Sequence, residues 1–213
     1  MKPKYVARDK EHLKMLIKIE INSNGYECNL NHIDVSQIRE MGHLFAHSDF
    51  NGNISQWDVS KVEDMGAMFH KSKFNGDISS WNTGSLKNAV NMFGNAYFNG
   101  DISKWDMSKV KNVACMFTCS KFTRDVSNWD VSSIEIMDFL FENTKFNSDL
   151  SKWKPLSLVS FEYMFVDTDI ALPYWAKIEN KEKRDNAINN YWLEKELTQV
   201  LENGSQQNKK IKI

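Results

Sequence analysis

Three histidines have a spacing that could hold a metal ion. His43 and His47 are four residues apart, so a helix would present both imidazoles on one face, an arrangement that can bind zinc. His70 follows at an interval that would bring it near His47 in a chain built from repeated units of similar length. No glutamate follows His43 in a His-Glu pattern, and no fourth ligand is obvious. Solvated surface histidines are therefore the favoured interpretation, and a metal-binding or enzymatic protein that uses this cluster is the alternative.

Carboxylates also recur at a fixed interval, which could indicate acid–base chemistry or calcium binding. Aspartate occupies positions 77, 101, 125 and 149. A catalytic group is needed at one special place, whereas an aspartate that precedes every turn can accept backbone N–H bonds in every unit. The pattern therefore indicates a structural role for these aspartates.

The cysteines and the short motifs offer no other catalytic centre. Cys115 and Cys119 are four residues apart, but no histidine or lysine nearby would clearly activate either thiol. The odd total of three cysteines is not typical of a disulfide framework. The chain contains no GxSxG elbow, HExxH motif or phosphate-binding glycine loop. The sequence thus predicts a non-enzyme without a cofactor.

Aromatic residues repeat through the middle of the chain with a period of 24 residues. Tryptophan is found at positions 57, 81, 105, 129 and 153, and phenylalanine follows the same period in two further registers. Such a period is typical of a solenoid, in which each unit buries its apolar side chains against its neighbours. We expect six units over residues 26–169, the first of them degenerate because Ile33 stands in the tryptophan position.

Each unit divides into two predicted halves. An Asn-Gly turn precedes a short run with Ile or Val, which indicates a short strand. In the second half, Val62, Met65, Met68 and Phe69 are spaced as on one face of a helix of about ten residues. The predicted fold class is therefore an α/β repeat solenoid, with a short strand and a short helix in each 24-residue unit.

Helices are predicted at both ends of the repeats. Residues 1–25 form an N-terminal capping helix, because Asp9 to Ile21 is amphipathic and Gly25 ends the segment. Residues 170–202 contain a linker and a C-terminal capping helix from about Lys181 to Glu202. Residues 203–213 are expected to be a flexible tail.

The repeated pattern D-I-S-x-W-D-V-S-x-V-x-x-M-x-x-M-F resembles the BspA-like bacterial surface-protein repeat, which is also abundant in mycoplasma lipoproteins. That family is of the leucine-rich-repeat type, so the resemblance implies a leucine-rich-repeat-like curved solenoid that binds other proteins. It implies no catalytic residues. Small unexported relatives occur in phage and mobile-element genomes, which makes an inhibitor of a host defence complex an alternative function that the resemblance implies.

Composition and charge bear on the compartment and the partners. The net charge of −1 gives no global electrostatic reason to bind nucleic acid. No run of eighteen apolar residues exists, so no membrane span is predicted. The N-terminal residues are charged throughout and lack the apolar core of a signal peptide, unlike surface members of the family. We therefore expect an unexported, cytoplasmic protein.

One repeated position changes character along the chain and marks a candidate binding surface. In the predicted helices it would point away from the core, and it is occupied in turn by His43, Ala67, Asn91, Cys115, Phe139 and Tyr163. An aromatic patch here, with Ile136 and Val159 beside it, is typical of a contact site. Two alternatives are that the C-terminal helix folds back over this patch, or that a partner binds the strand side instead.

The function predicted from the sequence is protein–protein recognition by a small non-catalytic scaffold. A preorganised surface would dock on a partner protein with little ordering cost and act by steric binding. The candidate binding residues are Phe139, Tyr163, Ile136, Val159 and Cys115.

Overall fold

The computed structural model describes residues 5–210, with the side chains of residues 5–202. Its regular elements are strand β1 (Tyr5–Val6), helix α1 (Lys10–Asn24), strand β2 (Ile33–Asp34), a 3-10 helix (Tyr174–Lys177) and helix α2 (Lys181–Lys210). The chain forms two compact units, Met1–Leu172 and Pro173–Ile213. No helix in residues 5–210 has both the length and the apolar character that crossing a membrane requires.

Helix α1 forms at the predicted place and begins with a capped first turn. The side chain of Asp9 accepts a 2.8 Å hydrogen bond from the His12 N–H. The helix ends where the Gly25 N–H bonds to the Ile21 carbonyl, with Gly25 at φ 79°. Leu13 and Ile17 are buried on one face of the helix. Just before the helix, β1 pairs in parallel with β2, which ties the N-terminal segment to the start of the repeats.

Residues that are 24 apart in the sequence lie side by side in the first compact unit. Parallel bridges join Glu40 to Asp64 and Asp64 to Asn88, and three more continue this row as far as Ser160. Backbone hydrogen bonds join the same neighbouring units, since Ala67 N donates to Val90 O at 2.8 Å. The backbone polar groups of each unit are thus satisfied largely by the next unit.

The short helix predicted in the second half of each unit is wrong. Among the described residues, 26–169 contain successive turns where that helix was expected. In the second unit, Met68 N bonds back to Met65 O, while Phe69 N bonds across to Met92 O. Every second N–H group therefore donates to a carbonyl of the neighbouring unit, whereas in a helix these groups would donate within their own segment. Apolar residues spaced by three and four are compatible with these turns as well as with a helix. The spacing alone therefore does not distinguish the two conformations.

The predicted short strands are also largely missing. Within residues 26–169 the only strand is β2, and the other strand-like pairings are isolated bridges such as Asn29 to Asn53. An isolated bridge fixes the register between two units without forming a strand in either of them. The units are therefore held together by turns and bridges.

The aromatic columns form the core, as the sequence predicts. The five repeat tryptophans are at most 4% exposed. The phenylalanine rings stack from unit to unit, with the Phe93 and Phe117 centroids 5.8 Å apart and their planes nearly parallel. Stacked aromatic rings bury a large apolar area in every unit and add a specific ring–ring attraction.

The second compact unit is helical. Tyr174 stacks on Tyr191 at 4.3 Å, and Trp175 and Ile188 are buried. Helix α2 begins at Lys181 as predicted but continues to Lys210, so the predicted end at Glu202 and the flexible tail from 203 are wrong as far as 210. Residues 211–213 of that predicted tail lie outside the described residues. The later apolar residues of α2 are exposed, namely Leu193, Leu197, Val200 and Leu201.

Candidate protein-docking surface

The aspartates of the repeats have the structural role predicted for them. Ser79 N donates to Asp77 Oδ1 at 2.9 Å, and Ser103 N donates to Asp101 Oδ1 at the same distance. These bonds close Asx turns, in which a carboxylate replaces a backbone acceptor. Because the backbone N–H bonds stabilise the charged form, the pKa of the Asp77 and Asp101 carboxyls is lowered.

Residues in the left-handed backbone region form a column along the repeats. The six positions of the predicted binding column have φ between 52° and 60°, and each belongs to a tight turn. Phe139, for example, is the third residue of a turn that Leu140 N closes by bonding to Met137 O. Such turns favour glycine or asparagine at this position, because a Cβ is crowded there. His43, Ala67, Asn91, Cys115, Phe139 and Tyr163 nevertheless occupy it.

A surface that we call the turn face surrounds this column. It consists of positions 40, 42, 43, 46 and 47 and their equivalents at steps of 24 residues. In the first three units, positions 40, 42 and 43 and their equivalents line one cavity of about 320 Å³, together with Lys10. Gly42 and Gly66 leave room for the cavity because neither has a side chain. Sequence reasoning missed this cavity, although two glycines in one column were the available signal.

Phe139 and Tyr163 lie against each other on the turn face. Their ring centroids are 5.1 Å apart and their planes are inclined by 13°, which is a stacked pair. The stack follows from the unit spacing, because Phe139 N donates to Glu162 O at 2.8 Å and so fixes the two units side by side. Tyr163 is 59% exposed and Phe139 is partly exposed. The helical geometry behind the predicted pair is wrong, but the turns also present both rings at the surface.

The other predicted contact residues belong to three different columns. Cys115 precedes Phe139 in the same column and is partly buried. Ile136 is partly buried and forms the bridges to Asn112 and Ser160 at the edge of the turn face. Val159, which is 68% exposed, belongs instead to a neighbouring column whose earlier members are charged.

That neighbouring column is a row of ion pairs between successive units. Glu63 is paired with both Arg39 and Lys87, at 2.7 and 2.6 Å, and Lys111 is paired with Glu135 at 3.1 Å. Val159 is the last residue of this column. The column is therefore apolar only in the last unit, next to the aromatic residues of the turn face.

Carboxylates flank the two aromatic residues in the chain. Asp138 and Glu162 are the residues immediately before Phe139 and Tyr163 in the chain, and Glu142 follows one turn later. Burial, and then the nearby Glu142 and Asp138 charges, raise the pKa of the Cys115 thiol. A raised thiol pKa disfavours the reactive thiolate form of Cys115.

The three histidines do not form a ligand set. His47 and His70 meet edge to face with centroids 5.4 Å apart, and His70 Nδ1 lies 3.0 Å from Asn91 Oδ1. Burial lowers the pKa of His70, which keeps its ring neutral near pH 7. His43 and His47 lie in turns. The prediction that a helix would present both imidazoles on one face is therefore wrong. Within the described residues no group of three or more His, Cys, Asp or Glu side chains could hold a metal ion.

The repeats match one family of proteins. A model of the family described as "Mycoplasma protein of unknown function, DUF285" matches residues 18–121 and 97–175, which is more than half of the chain. No curated protein matches the chain. No solved structure matches it either.

Proposed function

Since the chain belongs to the DUF285 family of mycoplasma proteins of unknown function, we propose that it is a non-catalytic scaffold that binds a partner protein through the turn face. Binding is steric, because a surface fixed in advance docks on its partner and thereby blocks, tethers or recruits it. The observation that carries the proposal is the exposed Phe139–Tyr163 stack.

The fold does not require aromatic rings at these two positions. The same turn position holds Ala67 in the second unit and Asn91 in the third. Each member of the column has a Cβ in the left-handed region, where it costs about 1–2 kcal/mol, so this cost does not depend on an aromatic ring. The rings of Phe139 and Tyr163 remain accessible to solvent and are therefore available to a partner.

The stack also suits binding energetically. Exposed aromatic residues are preferred anchors at interfaces, where their truncation often costs about 2 kcal/mol or more. The two rings already rest on each other, and both lie on a backbone held by hydrogen bonds to neighbouring units. Little side-chain entropy therefore remains to be lost when a partner docks.

The architecture that would support this function is also a proposal. We regard the 24-residue units as the turns of a solenoid that resembles the BspA-like, leucine-rich-repeat-type family. A solenoid offers an extended surface whose repeated positions vary independently of the core. The turn face has that character, because its residues change from unit to unit while the aromatic core positions recur.

The test compares two variants as baits in cells that encode the protein. Phe139→Asn with Tyr163→Asn removes the stack but keeps a residue type that favours the left-handed region. Tyr97→Asn is the matched control, because Tyr97 is also 59% exposed but lies outside the turn face. We expect the double variant to lose the captured partner by at least about tenfold, which corresponds to about 1.4 kcal/mol. Equal capture by all baits would place the binding surface elsewhere.

A further inference from the structure

We infer that the partner presents an arginine-rich segment, whose guanidinium groups contact the Phe139–Tyr163 stack and the carboxylates around it. The inference rests on the proposed function and specifies the chemistry of the partner. It depends on the distribution of charge over the turn face.

The last three units of the turn face are acidic and contain no cation. Their fifteen positions, all within the described part of the chain, include no lysine or arginine. They include four carboxylates: Asp138, Glu142, Glu162 and Asp167. Within residues 5–202 none of these four is paired with a lysine or arginine side chain. The surface around the stack therefore has unbalanced negative charge.

The adjacent column shows that this imbalance is not a general property of the repeats. There the carboxylates of Glu63 and Glu135 are neutralised by basic side chains one unit away. Basic residues on the turn face could neutralise its carboxylates in the same way, yet no basic residue occupies the turn face after Lys71. A basic partner would supply the missing charge, and complementary charge favours both encounter and orientation.

Arginine fits this surface better than lysine does. A guanidinium group is planar, so it can lie over an aromatic ring and still donate hydrogen bonds to carboxylates at its edge. Tyr163 is exposed, and the sequence places Glu162 directly beside it. The same negative charge repels nucleic-acid phosphates and anionic lipid headgroups, which leaves a protein segment as the favoured occupant.

The length of the turn face sets the length of the partner segment that can bind along it. The column from Ala67 to Tyr163 crosses four unit steps. At the usual strand spacing of about 5 Å per step, this distance is about 20 Å, which an extended peptide of about six residues spans. The first half of the face, which holds the cavity, has mixed charge from Glu40, Asp64 and Lys71. The arginines are therefore assigned to the end of the segment at the stack.

The inference is tested with the full chain and three synthetic hexapeptides, each with three leucines at one end and three arginines, lysines or citrullines at the other. Citrulline has the shape of arginine without its charge. Calorimetric titration should give the arginine peptide an affinity at least about fivefold above the citrulline peptide and about threefold above the lysine peptide. Phe139→Asn with Tyr163→Asn should abolish this preference, and Tyr97→Asn should preserve it.

Charge variants separate local contacts from net charge. Glu142→Gln with Glu162→Gln should weaken binding of the arginine peptide by about fivefold. Glu27→Gln with Asp125→Asn removes the same charge at two exposed positions of the repeats outside the turn face and should leave the affinity unchanged. Equal effects of the two double variants would overturn the inference, as would equal affinity for arginine and citrulline or for arginine and lysine. Tighter binding to duplex DNA or to anionic vesicles than to the arginine peptide would overturn it too.

Failure of this inference is distinguishable from failure of the proposed function. If cellular capture of a partner depends on Phe139 and Tyr163 but arginine peptides show no preference, only the arginine assignment is wrong. If capture is independent of both residues, the proposed function of the turn face is itself wrong.

Discussion

The indole Nε1 of Trp105 donates a 3.1 Å hydrogen bond to the carbonyl oxygen of Ile78, 27 residues earlier in the chain. Every repeat tryptophan makes the equivalent bond to the preceding unit, at 3.0–3.3 Å. The tryptophan column therefore joins successive units through both apolar contact and a buried polar bond.

Replacing Trp105 should separate these two contributions. Trp105→Ala should lower the free energy of unfolding by about 3–5 kcal/mol, because a large buried ring is lost. Trp105→Phe should cost less, about 1–3 kcal/mol, since it removes the indole bond and part of the ring, while the Ile78 carbonyl keeps its 3.2 Å bond from Trp81 N. Urea denaturation measures both values, with the exposed Tyr97→Ala as the control. An unchanged unfolding midpoint for Trp105→Ala would exclude the ring from the core.

A second column of left-handed residues, which begins at His47 and includes Asn95, should tolerate substitutions according to their backbone preference. Asn95 has φ 58° and an exposed side chain. We expect Asn95→Val to destabilise the protein by about 1–2 kcal/mol, because a β-branched residue is crowded in that region, whereas Asn95→Gly should be nearly neutral. Thermal denaturation compares the pair. Equal melting temperatures would show that the turns do not require this conformation.

Helix α1 should contribute to the stability of the repeats through its buried face. Leu13 is fully buried, whereas Met15 on the opposite side of the helix is about half exposed. Leu13→Ala should cost about 2–5 kcal/mol and Met15→Ala less than about 0.5 kcal/mol. If both variants unfold at the same denaturant concentration as the parent chain, the helix is an independent appendage of the repeats.

The Asx turns predict a loss of stability in acid. Their folded-state pKa values are lowered by the backbone and hydroxyl hydrogen bonds, so this stabilisation is complete above the ordinary aspartate pKa of about 4 and is lost as the pH falls through the folded values. Replacing Asp77, Asp101 and Asp149 by asparagine should flatten the decline in unfolding midpoint below pH 4. Asp167→Asn, which alters no Asx turn, should leave the decline as steep as in the parent chain.

The histidines should not retain a metal through purification. His47 and His70 contact each other in a partly exposed site, and no third metal-binding side chain completes a site within the described residues. Mass spectrometry of the native protein should find far less than one zinc per chain. Stoichiometric zinc that disappears in His47→Asn with His70→Asn would restore the metal-binding alternative.

The sequence alone determined the period, the core and the positions of the terminal helices. Trp105 and the phenylalanine columns recur at one interval because each unit must bury the same side chains against the next. The starts of α1 and α2, and the turn-forming role of residues such as Asp101, also follow from local chemistry. These features depend on contacts that are short-range or identical in every unit, so the sequence pattern is enough to predict them.

Only the tertiary structure decided the conformation within each unit and the composition of the turn face. Spacing by three and four residues suits a helix and a run of turns equally, and the choice depends on whether Phe69 N bonds along its own chain or to Met92 O of the next unit. The stacking of Phe139 on Tyr163 and the cavity beside Gly42 and Gly66 likewise arise between units. Contacts made across a 24-residue step depend on register and backbone twist, which a single unit of sequence does not encode.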